Sequence, residues 1–401
     1  MTTLLSYPSL CCIVEYIEAN WRLHVAARCP SLSKIDKNIP LRLNSLLFEP
    51  CQIAMNDISY KVYESEEEIK KPDPEDLPIF GDIVLDGYTV RESHIKKILQ
   101  IKIANRKSYL WIRAPDEYQH LQGTARNMID SLLGGRSLVI VNSLTFEFDS
   151  QTKIVRLPLG LKFCVNNLHP GFNDFRSFLH LLTASSFPLK RLMICELSAD
   201  VMSHPVVKEA HGLVIKKPCF ELQGRLAYFL SLPHKYLELN SYRVFFHALD
   251  ITHVLEIIDF WVKNGKEVGM ELIMDSWGAS KFNELVEEIE TKFEGARNVT
   301  LKNPTERQLP DSKSISIPIS SHSELIIYAT RDDYSTKVMK YHFFHIVVLK
   351  VVPLGSTVAL PFEPKPEVTV TVESTARIEV QEKKKKKKWW NFGFLDYLKL
   401  K

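Results

Sequence analysis

The apolar positions of this chain change period along its length. At the start they recur at helical spacing: Leu10, Ile13, Val14 and Ile17 stripe one face of a first helix, and Leu23, Ala26 and Ala27 one face of a second. Pro8 suits the first helical turn, where its missing N–H would have no partner anyway. Ala19-Asn20 ends that helix, and Pro30 pushes Cys29 out of helical geometry and stops the second. Helices this short bury too little surface to stand alone. Their apolar faces need cover, from the rest of the chain or from another protein.

Strand character follows at residues 39–43, 46–48, 52–55 and 58–63, with Asn56-Asp57 as a turn. The acidic, proline-broken stretch 64–76 reads as an exposed loop. Residues 118–133 then form a helix, striped by Leu121, Ala125, Met128, Ile129, Leu132 and Leu133 and followed by a strand at 138–141. Helix, Gly134-Gly135, strand is the reverse of the order in a phosphate-binding loop, so the glycines read as a helix C-cap.

Further short apolar strands begin at 192, 213, 236, 270 and 299, at intervals of 21 to 34 residues, which bracket the period of leucine-rich repeats. Helices fit at 172–184, 201–210, 252–264 and 281–293. Strands side by side with helices outside give an open sheet suited to extended partners. The repeats are irregular and no asparagine recurs at a fixed position, so a non-repetitive α/β layer fits as well. Residues 314–319, 324–329 and 340–352 add antiparallel strands, and 353–366, with four prolines, reads as a linker. The expected fold class is α/β or α+β. It comprises a helical segment at 1–38, an irregular leucine-rich-repeat-like open sheet at 39–352, and a flexible tail at 353–401.

Composition narrows the function. A chain of 401 residues with 45% hydrophobic and 25% charged residues has material for a sizeable core. Its net charge of +3 is exceeded by six consecutive lysines, Lys383, Lys384, Lys385, Lys386, Lys387 and Lys388, so the body is about neutral and unlike a nucleic-acid-binding surface. Trp389 and Trp390 adjoin that run. Three readings fit the tail: aromatics folded back on the body, a partner or membrane-surface anchor, and an import signal or nucleic-acid arm. The first residues lack the pattern of a signal peptide, and no apolar window reaches twenty residues. Seven cysteines without a Cys-x-x-Cys pair fit reduced, mostly buried thiols, in the cytoplasm or nucleus.

Candidate chemistry is sparse. His204 and His211 are spaced to share a helix face, while His342 and His345 on a strand would point to opposite faces. No cysteine ladder or paired acids accompany them, and no Gly-x-Ser-x-Gly elbow occurs. Cys11, Cys12 and Cys195 read as core packing. No catalytic residue, metal ligand or cofactor is expected.

The run Tyr7-Pro8, Leu10, Ile13-Val14, Ile17, then Arg22-Leu23, Ala26-Ala27 and Arg28-Cys29 resembles an F-box, with Tyr7 where that motif has leucine. Leu132 to Ser137, the run 157–163 and the Trp261–Gly265 turn extend the likeness to nematode-expanded F-box-like proteins that carry an uncharacterised associated domain. That resemblance implies a substrate-recruiting adaptor of a ubiquitin ligase. Pro8, Leu10, Val14, Ile17 and Leu23 would meet a Skp1-type adaptor protein, and the body would hold an unknown protein substrate. The reading in another class keeps the helices as an internal cap on a scaffold protein.

Overall fold

A computed structural model describes residues 7–68, 83–84, 95–104, 109–113, 121–148, 154–216, 229–230, 232–240, 250–277, 279–301, 313–331 and 345–360. Three helices lead: α1 (Tyr7–Tyr16), α2 (Ala19–Arg28) and α3 (Pro30–Asn38). The third was not expected. Pro30 does end α2, but it also occupies the first turn of α3, the one helical position where proline loses nothing.

Sixteen strands of the described residues join one sheet, parallel in the middle and antiparallel at both ends. The parallel run is β1 (Leu41–Glu49), β7 (Leu138–Phe146), β9 (Lys162–His169), β10 (Arg191–Ile194), β11 (Gly212–Lys216), β12 (Tyr236–Asn240) and β13 (Glu271–Trp277). Beside β1 lie β2 (Gln52–Met55), β3 (Ile58–Glu68), β5 (Ile95–Ala104) and β6 (Tyr109–Arg113), all antiparallel. Beyond β13 follow β17 (His345–Pro353), β16 (Ser323–Arg331), β15 (Ser314–Pro318), β14 (Arg297–Leu301) and β18 (Thr357–Ala359). A separate pair joins β4 (Ile83–Val84) to β8 (Ile154–Val155).

One face of the sheet carries the main core. Helices α4 (Leu121–Leu133), α7 (Ile251–Asn264) and α8 (Ala279–Lys292) pack on it through Leu133, Ile258, Trp261 and Leu285, against Leu192, Leu213, Leu237 and Leu272 of the strands. Stacked rings bind the N-terminal part: Phe48 to Phe146 at 5.3 Å, and Phe146 to Phe178 at 4.2 Å. Among the described residues, the other face has a small core of its own near the C-terminal strands, around Ile326, Tyr328 and Val348.

The ladder of parallel strands follows the expected order but starts earlier, at β1 and β7. The strand at 299 is not its next rung. The free side of β13 is taken by antiparallel β17, so β14 lies further out between β15 and β18. Other expectations are also corrected. The supposed acidic loop is strand as far as Glu68, paired in register with residues 95–99 of β5. The helix at 172–184 is a 3₁₀ turn at Phe175–Leu181 and another at Ala184–Ser186. Pro205 splits the helix at 201–210 into α5 (Ala199–Ser203) and α6 (Pro205–Glu209). The linker beginning at Pro353 holds strand β18. Gly134-Gly135 does cap α4: the Gly134 N–H donates to Asp130 O at 2.7 Å, and Gly135 has φ of +74°.

Candidate functional site

The F-box-like residues fall in different environments. Pro8 is exposed, Leu10 and Ile17 are half-buried, and Val14 is only 2% exposed. Leu23 packs against the main core. Val14 and Leu23, two of the five residues expected to meet an adaptor, are thus turned inward. What the helices present instead is Tyr7 (60% exposed), Ile13, Tyr16 (89%), Trp21 (67%) and Val25. Among the described residues, five of the eleven exposed large hydrophobic side chains lie between Tyr7 and Val25. The lysine and tryptophan run, Lys383 to Trp390, lies outside the described residues.

Two polar joints fix these helices to the body. At the first, Glu18 caps α2 by accepting from the Asn20 and Trp21 N–H groups at 2.9 and 3.1 Å. The same carboxylate accepts from Asn20 Nδ2 and from Asn56 Nδ2 of the β2–β3 turn at 3.0 and 3.1 Å, while Asn20 Nδ2 also donates to Met55 O. At the second, the Asp36 carboxylate of α3 lies between the guanidinium groups of Arg22 and Arg136, accepting from Arg22 Nε and Arg136 Nη2. All three side chains are buried, at 2 to 4% exposure. Arg22 also donates to Pro40 O and Asp36 O at 3.0 and 2.7 Å, and Arg136 Nη1 to Asp36 O at 2.9 Å. A crevice between α2, α3 and the end of α4, lined by Leu23, Ala27, Ser33, Lys37 and Ser131, borders this triad.

The sheet face opposite the helices is polar near α2. In β1, β7 and β9 the inward-facing positions change parity at the same place. The core residues are Leu43 then Leu46, Val141 then Leu144, Val165 then Leu168. Two successive residues of each strand are therefore left outside the core: Asn44-Ser45, Asn142-Ser143 and Asn166-Asn167. Asn166 Nδ2 donates to Asn142 Oδ1 at 3.0 Å and Asn142 Nδ2 to Asn44 Oδ1 at 3.4 Å. These contacts form an asparagine ladder across β9, β7 and β1, outside the repeats that begin at 192. It continues toward α2, since Asn56 Oδ1 accepts from the N–H groups of Asn44 and Ser45 at 2.8 and 3.2 Å. In the other direction the Lys190 N–H donates to Asn166 O.

One row further along the strands, the register aligns Asn167, Arg191, Gly212, Tyr236, Glu271 and Lys350 across six neighbours. Gly212 permits a close approach: a Cβ there would stand 3.0 Å from the Tyr236 ring. The Arg191 guanidinium lies over that ring, 3.9 Å from its centroid. Tyr236 Oη donates to Glu238 at 2.6 Å, and Glu271 pairs with Lys350 at 3.3 Å. Burial raises the Tyr236 pKa, and the Glu238 charge and hydrogen bond raise it further, so the phenol keeps its proton. Nearby His169 is lowered to about 4, first by burial and then by Arg191 and Lys216.

The remaining candidates have structural roles. His204 and His211 do not share a helix face, because His204 stands in the break between α5 and α6, where Nδ1 accepts from the Val206 N–H. His211 Nδ1 lies 3.3 Å from Leu189 O. His342 lies outside the described residues. Cys12 is exposed rather than packed in a core, and Cys11 is half-buried. Cys195 donates from Sγ to Gly171 O at 2.8 Å. Among the described residues no three histidine, cysteine or acidic side chains are grouped as a metal site would need. No helix among them is long and apolar enough to cross a membrane.

Residues 121–276 match the family model of a domain of unknown function (DUF3557). The matched stretch starts with α4 and ends within β13, so it contains Arg136, two rungs of the asparagine ladder and the Arg191–Tyr236 stack. Neither a curated protein nor a solved structure matches the chain. Over these 156 residues (121 through 276, under half of its 401), the chain is similar to an uncharacterised domain.

Proposed function

We propose that this chain is a protein–protein interaction adaptor. Its N-terminal helices dock a Skp1-type protein, and its α/β body holds a protein target for a ubiquitin ligase, in the cytoplasm or nucleus. It acts by proximity, raising the local concentration of the target without doing chemistry on it. The observation that carries this reading is the exposed apolar surface of α1 and α2, with Ile13, Tyr16 and Trp21 facing outward on an element tied to a large body. Such surface is a feature of docking sites.

The test uses side chains whose replacement spares the fold. Ile13→Glu with Trp21→Glu should abolish co-purification of a Skp1-type adaptor while leaving the melting temperature unchanged. Burying the exposed two-thirds of a ~200 Å² tryptophan contributes ~3 kcal/mol, so Trp21→Glu alone should weaken binding about a hundredfold. Adaptor binding that ignores both substitutions would sink the proposal. The second reading, helices as an internal cap on a scaffold, draws on burial of Val14 and the Arg22–Asp36–Arg136 triad. It requires that no adaptor binds.

A further inference from the structure

We infer that the strand face bearing the asparagine ladder and Arg191 binds a short, extended, acidic peptide segment lying across the strands. The inference rests on the adaptor reading in one respect: it names the part of a target that the body would hold.

The ladder supplies the backbone half of the recognition. A carboxamide has two N–H donors and two acceptor lone pairs. Asn142 uses one donor on Asn44 and one lone pair on Asn166 and keeps one of each. Asn44 and Asn142 are exposed and Asn166 is half-exposed. The three amides therefore keep unused donors and acceptors at the strand spacing of about 4.8 Å, groups with which a peptide backbone can pair. From β1 to β10 the array spans about 14 Å, the length of about four extended residues.

Charge selects the side chain. Lys190 and Arg191 are both exposed at the β10 end, and neither side chain has a hydrogen bond or ion pair to a described residue. The two carboxylates that act on Tyr236 are engaged, Glu238 by Tyr236 Oη and Glu271 by Lys350. Contact with the Tyr236 ring restrains the Arg191 guanidinium, whose fork of N–H groups suits a carboxylate. At the opposite end of the ladder stands Glu18. The face is therefore polarised, and the acidic residue of the ligand belongs over β10.

The probe is a fluorescein-labelled peptide of alternating serine and glutamate, titrated into the full-length protein. Controls are the same peptide with glutamine for glutamate and an oligothymidylate of equal charge. The glutamate peptide should bind at least roughly tenfold more tightly than the glutamine peptide, with affinity falling as salt rises. Arg191→Glu should abolish binding. Arg191→Lys should weaken it several-fold, because an ammonium keeps the charge but loses the planar fork. Asn142→Leu should weaken it while Arg191 remains in place. Equal binding of glutamate and glutamine peptides, indifference to Arg191→Glu, or tighter binding of the oligothymidylate through the same residues would each overturn the inference. Both Arg191 variants should melt with the parent protein. They should also retain the Skp1-type adaptor, so loss of peptide binding and loss of adaptor binding are read separately.

Discussion

Asp36→Asn should be among the most damaging single substitutions in this protein. The carboxylate is 2% exposed and is the shared partner of two guanidinium groups that are themselves buried. Asparagine keeps the shape but removes the charge, leaving two cations in a poorly solvated joint. Removing one member of a buried ion pair costs about 3–5 kcal/mol. Some of that returns through the carbonyls of Asp36, Ile39 and Pro40, which still accept from Arg22. A net loss of about 3 kcal/mol is expected, a large part of the typical total of roughly 5–15 kcal/mol. Urea unfolding followed by circular dichroism measures it, and limited proteolysis should show cleavage within residues 7–38 before the body. Replacing the whole triad, Arg22→Met, Asp36→Leu and Arg136→Met together, should recover most of the loss, since no charge is then stranded. A single variant within about 1 kcal/mol of the parent would refute the idea that this triad joins helices to body.

Gly212→Val should cost about 1–3 kcal/mol and displace the Tyr236 ring, because its new Cβ would meet that ring at 3.0 Å; unfolding and the tyrosine near-ultraviolet signal report the two effects. Glu324→Ala should destabilise by about 3 kcal/mol, since it deprives Ser316, Thr357 and Arg297 of the acceptor they share. Stability should fall as pH drops below 6.5. His169, lowered to about 4, and His24 and His234, lowered chiefly by burial, stay neutral in the fold while the unfolded chain takes up protons. The loss through His169 runs from 6.5 down to about 4, at a slope of up to about 1.4 kcal/mol per pH unit, and His169→Gln should remove that component. For Glu324, burial alone would raise the carboxyl, but its three donors outweigh burial and hold it below the usual range. Its stabilisation is present above 4.5 and fades as pH falls through the lowered value. A flat stability profile between pH 7 and 5 would contradict the histidine assignment.

Local pattern was enough for much of the architecture. The stripe of α7, from Val254 to Trp261, and the capping glycines after α4 are fixed by neighbours within a few residues, and periodicity reads those directly. The parallel strands from β10 to β13 were legible for the same reason, as short apolar runs between helices. Two of the missed elements depended on a distant partner. The strand through Glu68 exists because residues 95–98 pair with it, and β18 because β14 leaves an edge open. The inward turn of Val14 and Leu23 also depends on what packs over them, which a helical stripe does not specify.

What the sequence determined by itself, then, was a mixed fold with apolar helices leading a body of short strands, because those features are properties of contiguous segments. Only the tertiary structure decided where function could lie. Asp36 meets Arg136 from 100 residues away, and the ladder joins Asn44, Asn142 and Asn166 across gaps of 98 and 24. No local period links such positions, since strand register and helix docking alone bring them within hydrogen-bonding distance.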